Sequence, residues 1–312
     1  AHCAERLQRA VITRMRAASW RRAHRDFLIV FNWHQVSPQF DPKFHHQFTW
    51  TSLELFASQV QYVRNAYTVL PLHQAVNSLR DGKLRGPCAA MTFDDGDVTV
   101  REHVLPVLKR LGAPATFFIN TAYLDGGAYW FPILEYMIHS GQLPPGRDAN
   151  ALREMATQLR NTPDADLYRR LREEIEPWAS SIPSSGMRSV SREWLAGLDG
   201  EQFSIGAHGH EHQRYAMMSE RWQQEDLATN VKLLREYRAF RPIFAVPFGR
   251  PGDWTQHTLA IAREQGLDVV LADGGVNLAR MDAYARIPCD GRQACAVARD
   301  TFASLAAQGR GA

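Results

Sequence analysis

A chain of 312 residues, 45% hydrophobic and 22% charged, has the makeup of a globular protein with one large core or two smaller ones. A net charge of +3 is too slight to argue for nucleic acid, and the excess arginine gathers at one end outside any recognisable binding motif, so no nucleic-acid partner is expected. The four cysteines, Cys3, Cys88, Cys289 and Cys295, form no CxxC pair and no zinc-ribbon spacing, which leaves disulfides unimportant.

Residues 1–26 come first. Arg6, Arg9, Arg14, Arg16, Arg21, Arg22 and Arg25 interleave with Leu7, Val11, Ile12, Met15 and Trp20 at the spacing of one helical face, which predicts a basic amphipathic helix. Such a helix packs on the domain or touches an anionic membrane surface, so peripheral membrane contact is one expectation for this segment. The longest apolar run, FLIVF at 27–31, is far shorter than the ~20 residues that cross a bilayer. With no signal peptide visible, a cytoplasmic, membrane-associated location is favoured; because the chain starts at Ala1 rather than Met, a removed signal and a periplasmic location stay open.

Residues 27–312 read as one domain. FLIVFNW (27–33) predicts a strand, 52–65 an amphipathic helix, TVLPL (68–72) a strand, His73 to Leu79 a helix and CAAMTF (88–93) a strand. A helix follows over 100–112, stopped by Gly112, and then a strand over 114–120. After a stretch of helices and loops at about 125–195, strands at 203–208, 243–249 and 268–274 alternate with helices at 225–238 and 258–266. Strand–helix alternation over this length indicates an α/β fold, a (β/α) barrel with a helical insertion.

Two clusters carry chemistry. MTFDDG (91–96) ends a strand with adjacent carboxylates, Asp94 and Asp95. That pattern also serves as a plain turn, yet like charges so close resist burial unless a cation or donor compensates them. HGHEH (208–212) sets His208 and His212 four apart, the spacing of one side of a helical turn, with His210 between them. The H-E-x-x-H protease pattern fails at Arg214, and the nucleoside deaminase pattern fails at Gly209. Both clusters follow predicted strands, whose C-terminal ends open on one face of a parallel barrel. One carboxylate and two imidazoles there make a three-ligand divalent-metal site, zinc first, with cobalt or nickel as alternatives.

Together, MTFDDG, HGHEH, FAVPFG and FNWHQV resemble the polysaccharide deacetylases, the NodB-homology carbohydrate esterases, over about 260 residues. The resemblance implies a distorted (β/α) barrel and metal-dependent removal of N- or O-acetyl groups from an acetylated amino-sugar glycan or glycolipid. By the same resemblance Asp95, His208 and His212 hold the metal, Asp94 is the catalytic base, and the Phe248 amide beside Pro247 stabilises the oxyanion. Trp130, within Tyr129-Trp130-Phe131, offers a ring for stacking on sugar, although buried core is the commoner fate of such residues.

Two departures matter. Ala245 stands where the family carries an arginine that orients the base, and no late Leu-x-His supplies an acid histidine. Both resemble the branch that includes poly-N-acetylglucosamine deacetylases, which implies His34 as the general acid. Arg286, in YARIPCD, is then expected to take over the partnership with Asp94 from a later strand. A deacylase or deformylase of a lipid-linked or nucleotide-linked amino sugar would keep the same centre; a binding homologue without activity would have lost a ligand or the base.

Overall fold

Along its first strand the chain is buried at every position, but its residues face two different cores. Phe27, Ile29, Phe31 and Trp33 join one apolar cluster, and Leu28 and Val30 join another. The same alternation recurs: Ala89, Met91 and Phe93 against Cys88 and Ala90, Phe117 and Ile119 against Phe118, Phe244 against Ile243 and Ala245. A period of two with both faces apolar is what a strand needs when helices cover its outside and a closed barrel its inside.

The computed structural model describes residues 26–291 apart from 129, 183–187 and 273, so the expected N-terminal basic helix lies outside the described residues but for Asp26. The strands are β1 (Phe27–Trp33), β2 (Gln35–Ser37), β3 (Trp50–Ser52), β4 (Thr68–Val69) and β5 (Pro87–Phe93). They continue with β6 (Ala115–Ile119), β7 (Phe203–Ala207), β8 (Phe240–Ala245), β9 (Asp268–Leu271) and β10 (Tyr284–Pro288). Seven parallel strands close a ring in the order β1-β10-β9-β8-β7-β6-β5, with β5 pairing back onto β1 through Leu28↔Cys88 to Trp33↔Phe93. Short β4 adds to β5 at Cys88 and Ala89, while β6 pairs further along β5 at Thr92 and Phe93; β2 and β3 form a separate pair.

Helices α1 (Leu53–Ala66), α2 (Leu72–Arg80) and α3 (Leu105–Leu111) belong to the first half. The excursion between β6 and β7 holds α4 (Trp130–Ser140), α5 (Ala149–Asn161), α6 (Ala165–Ile175) and α7 (Arg192–Ala196), the helical insertion expected from the sequence. Helices α8 (Glu220–Leu234) and α9 (Gln256–Glu264) complete the outer layer. Helix α2 touches β1, β5 and β8 and shares its Leu72, Ala75, Val76 and Leu79 with the inner cluster. It therefore plugs the barrel at the N-terminal ends of the strands and leaves the other end open. None of the described helices is long and apolar enough to cross a membrane.

Some boundaries differ from the sequence reading. TVLPL is strand only at Thr68–Val69, because Pro71 caps α2 and turns the chain into a helix at Leu72. The helix expected from Val100 opens as a π turn, Leu105 N–H reaching back to Val100 O, just ahead of Pro106, which has no N–H to offer. The strand expected to run to Gly249 stops at Ala245, and a turn carries Pro247 to Gly249. Cys88 and Cys289 are both buried.

Gly206, in the middle of β7, marks the tightest inner packing. A Cβ there would lie 2.5 Å from the Phe118 ring and 2.9 Å from Ile243 O. Gly206→Ala should cost about 1–3 kcal/mol by overpacking; an unchanged urea midpoint would show that the barrel wall yields without cost.

Candidate metal centre and active site

The inward face of each strand continues past its end as site chemistry. Leu28, Val30 and Asn32 are followed two residues on by His34, Cys88, Ala90 and Thr92 by Asp94, and Gly206 by His208. Apolar at the plug, the barrel interior turns polar at the layer of Asn32, Thr92 and Arg286, and the reactive groups stand above that layer.

Asp94 is buried, 3% exposed, and Arg286 fully so. The Arg286 guanidinium grips Asp94 with two hydrogen bonds, Nη1 to Oδ1 at 2.7 Å and Nη2 to Oδ2 at 2.9 Å, and Asn32 Nδ2 adds a third at 3.1 Å. The structure thus places Arg286 against Asp94 from β10, on the opposite side of β9 from Ala245. Arg286 also donates to Asn32 Oδ1 and Leu271 O and lies 5.5 Å from the centre of the Phe118 ring. Burial pushes the Asp94 carboxyl up, but the attraction of Arg286, helped by His208 and His34, holds it below the ordinary carboxylate value.

Asp95 turns the other way because its backbone is left-handed, φ 71°. Its Oδ1 lies 3.3 Å from His208 Nε2 and 3.1 Å from His212 Nε2, and one donor atom from each of the three residues falls within 4.8 Å of the others. That Oδ1 is buried and makes no hydrogen bond, although two imidazole nitrogens face it. His208 Nδ1 is engaged with Ala245 O at 2.7 Å, which leaves Nε2 as the ligating lone pair. A buried orphan oxygen facing two such nitrogens is the donor set of a small divalent cation, and the residues fit one.

The helical spacing inferred for His208 and His212 is not how they meet. Both lie in the loop after β7, where Gly209 at φ 75° and His212 at φ 53° fold the chain back. Helix α8 builds this loop. Asp226 accepts His210 N and Glu211 N at 2.9 Å and the Tyr215 hydroxyl at 2.6 Å, while Asn230 Oδ1 accepts His208 N at 3.1 Å. His210 itself pairs with Thr121 Oγ1 and stays out of the donor set. A β-carbon on Gly209 would stand 2.9 Å from Asp226 Oδ2, so glycine and a positive φ are both required there.

His34 faces Asp94 from β1. Its Nε2 is 3.8 Å from Asp94 Oδ2, and on the far side Nδ1 meets Asp290 Oδ2 at 2.6 Å. Asp290 Oδ1 also accepts His34 N. Burial alone would lower the imidazole pKa; the attraction and hydrogen bond of Asp290, with Asp95 and Asp94 beyond, raise it to about 10.

These groups stand at the floor of an open cavity of about 1080 Å³. Trp130 lines it but is only 1% exposed, its ring packed edge-on against Phe131, so it forms wall rather than a stacking platform. Phe248 lines it too, at φ 62°, its ring 5.0 Å from that of His212. Pro247 is buried beside Phe248, in the turn that Gly249 N–H closes on Pro247 O. The sequence reading missed Asn32, Asp226, Asn230 and Asp290. Two signals were there to read, a polar pair four apart on the buried face of a helix and an acid two residues beyond a strand's inward position.

The polysaccharide deacetylase family profile matches residues 81–173, which include Asp94 and Asp95. That matched stretch is similar to the polysaccharide deacetylases and covers less than half of the chain. No curated protein matches the sequence significantly. Solved structures extend the likeness to the whole barrel. IcaB from Ammonifex degensii is 20% identical with a TM-score of 0.55, the match covering 91% of this chain and 97% of that one. The de-N-acetylase from Aggregatibacter actinomycetemcomitans is 16% identical with a TM-score of 0.57, covering 84% and 94%. The BpsB deacetylase domain from Bordetella bronchiseptica is 17% identical with a TM-score of 0.53, covering 85% and 96%. At these identities the match speaks for the fold.

Because Asp226 fixes the loop that carries His212 without touching the donor set, Asp226→Ala should weaken divalent-metal binding about 10–100-fold. Competition against a chromogenic chelator measures it; unchanged affinity would make Asp226 a packing residue only.

Proposed function

We propose that the protein is a metal-dependent deacetylase that hydrolyses N-acetyl groups on an amino-sugar glycan. The observation that carries this reading is the convergence of Asp95, His208 and His212 on one point beside a separate carboxylate, Asp94, that two arginine bonds keep ionised. Two imidazoles and one carboxylate favour zinc, and an ion held there supplies Lewis acidity to the acetyl carbonyl and acidity to water. The substrate class rests on the resemblance to poly-N-acetylglucosamine deacetylases and on the deacetylase neighbours in structure.

The chain's own groups divide the remaining work. Asp94, aimed by Arg286 and Asn32, takes a proton from the water that attacks the acetyl carbon. The Phe248 amide, turned by its positive φ, is the donor assigned to the developing oxyanion. His34, charged through Asp290, gives its proton to the amine as the carbon–nitrogen bond breaks, releasing acetate and a free amino sugar.

Asp94→Asn should keep one metal per chain by elemental analysis and lose about 10²–10⁴ in kcat for acetate release from N-acetylglucosamine oligomers. Purified protein that takes up no zinc, cobalt or nickel, and releases no acetate with any of them, would refute the reading.

His34→Ala should fall further on the amide than on an activated ester, whose leaving group needs no proton. The alkaline limb of kcat/KM should belong to His34, since activity needs the imidazolium and is lost as pH rises through its folded pKa. Equal losses on both substrates would make His34 structural.

A further inference from the structure

We infer that the substrate is anionic, carrying a carboxylate or phosphate on the sugar that Arg160 and Arg250 bind at the Phe248 side of the cavity. This rests on the deacetylase reading above and specifies the charge of its glycan.

The charge distribution in the cavity carries it. Three of its carboxylates are paired, Asp94 with Arg286, Asp290 with His34 and Asp253 with Arg214, while Asp95 faces the two imidazoles of the metal donor set. Asp97 accepts from Thr99 N and Gln35 Nε2. On the cationic side, Arg214 answers Asp253, and Arg188 donates to the carbonyls of Gly126, Ala179 and Ile182. Arg160 and Arg250 also line the cavity, are exposed, and form no ion pair among the described residues. The excess at the mouth is therefore positive, before any metal is counted.

Arg160 is not a loose surface chain. Its guanidinium lies 5.9 Å from the Phe131 ring centre and 6.0 Å from that of Phe248, which itself abuts His212. A guanidinium held over aromatic faces keeps its in-plane N–H donors for a ligand, and that fork matches carboxylate and phosphate oxygens. Phe131 also meets His46 at 5.2 Å, and His46 meets Phe48, which is 72% exposed at the rim, so an aromatic shelf for sugar faces adjoins the cation.

A neutral N-acetylhexosamine polymer fits this mouth poorly. Each acetyl group removed leaves an ammonium on the chain, and a polymer already partly deacetylated would bring like charge to Arg160 and Arg250. Screening limits the repulsion to about 8 Å at physiological salt, which still includes adjoining sugars. A glycan with its own anions offsets both the arginines and its own product amines.

The test compares three substrates on metal-loaded enzyme: a neutral N-acetylglucosamine oligomer, an oligomer alternating N-acetylhexosamine with uronic acid, and a nucleotide-linked N-acetylhexosamine. Acetate release gives turnover, and calorimetry gives binding independently of it. An anionic substrate should exceed the neutral one at least tenfold in kcat/KM, through KM, and the advantage should shrink as sodium chloride rises from about 50 to 500 mM. Arg160→Gln and Arg250→Gln should each lower the anionic-over-neutral ratio about tenfold, while Arg160→Lys retains part of it. A win for the uronate arm assigns a polymer carboxylate, and a win for the nucleotide arm a sugar phosphate. Equal or better use of the neutral oligomer, with no effect of salt or of either variant, overturns the inference and leaves the deacetylase reading standing. If no substrate releases acetate, that reading fails, and calorimetry still decides the inference by whether anionic ligands bind tighter and lose this in Arg160→Gln.

Discussion

The buried pair of Arg286 and Asp94 is the constraint on which the site depends. A guanidinium inside a barrel is tolerable only with its charge answered and its donors filled, because an isolated buried ion carries a desolvation penalty of several kcal/mol. Here Asp94 answers the charge, Asn32 Oδ1 and Leu271 O take further N–H groups, and Phe118 covers the flat face. These partners come from β5, β1, β9 and β6, so the ion pair can form only when the strands have closed. Closure of the barrel and orientation of the carboxylate are one event. The arrangement also frees Asp95, since Arg286 is committed to its neighbour.

Adjacent acids can serve two purposes only if the backbone sends them apart. Asp95 does so with a left-handed residue, and His212 and Phe248 use the same device on the facing loops. These are three of the four non-glycine residues with positive φ among the described residues. Each such conformation costs of order 1–3 kcal/mol and persists only where the surroundings over-determine it. For His212 the over-determination is visible: Asp226 and Asn230 on α8 tie down the backbone of residues 208, 210 and 211, and the Tyr123 and Tyr168 hydroxyls both reach Glu211 O. The insertion thereby contributes α6, through Tyr168, to holding the loop that bears His212.

Much of this was legible in the chain itself, and the misses have physical causes. Strands buried on both faces announce themselves as continuous apolar runs, so FLIVFNW and CAAMTF were readable, as were Asp94, Asp95, His208 and His212 at strand ends. Arg286 could be singled out because Ala245 leaves Asp94 without the arginine expected on that strand, so a later strand has to supply the cation. The four-residue spacing of His208 and His212 misled, since glycine at 209 permits a left-handed turn that mimics helical spacing. Asp226 and Asn230 were hidden inside an ordinary amphipathic helix, and Asp290 acquires meaning only once β10 lies beside β1. Long-range pairing of that kind leaves no local pattern.

Two ion pairs of opposite sense face each other across the centre, Arg286 with Asp94 fully buried and Asp290 with His34 partly so. Asp94 is held below its ordinary pKa by a cation behind it, and His34 is held above its own by an anion behind it. Their near atoms are only 3.8 Å apart, and a proton passing between them would cancel both charges. The backing pairs oppose that transfer, because neutralisation would leave Arg286 and Asp290 each facing an uncharged partner in a poorly solvated interior. A carboxylate able to accept a proton and an imidazolium able to give one therefore coexist at one end of the barrel. Hydrolysis of an amide needs that combination, since deprotonation of water and protonation of the departing amine happen on opposite sides of the same carbon.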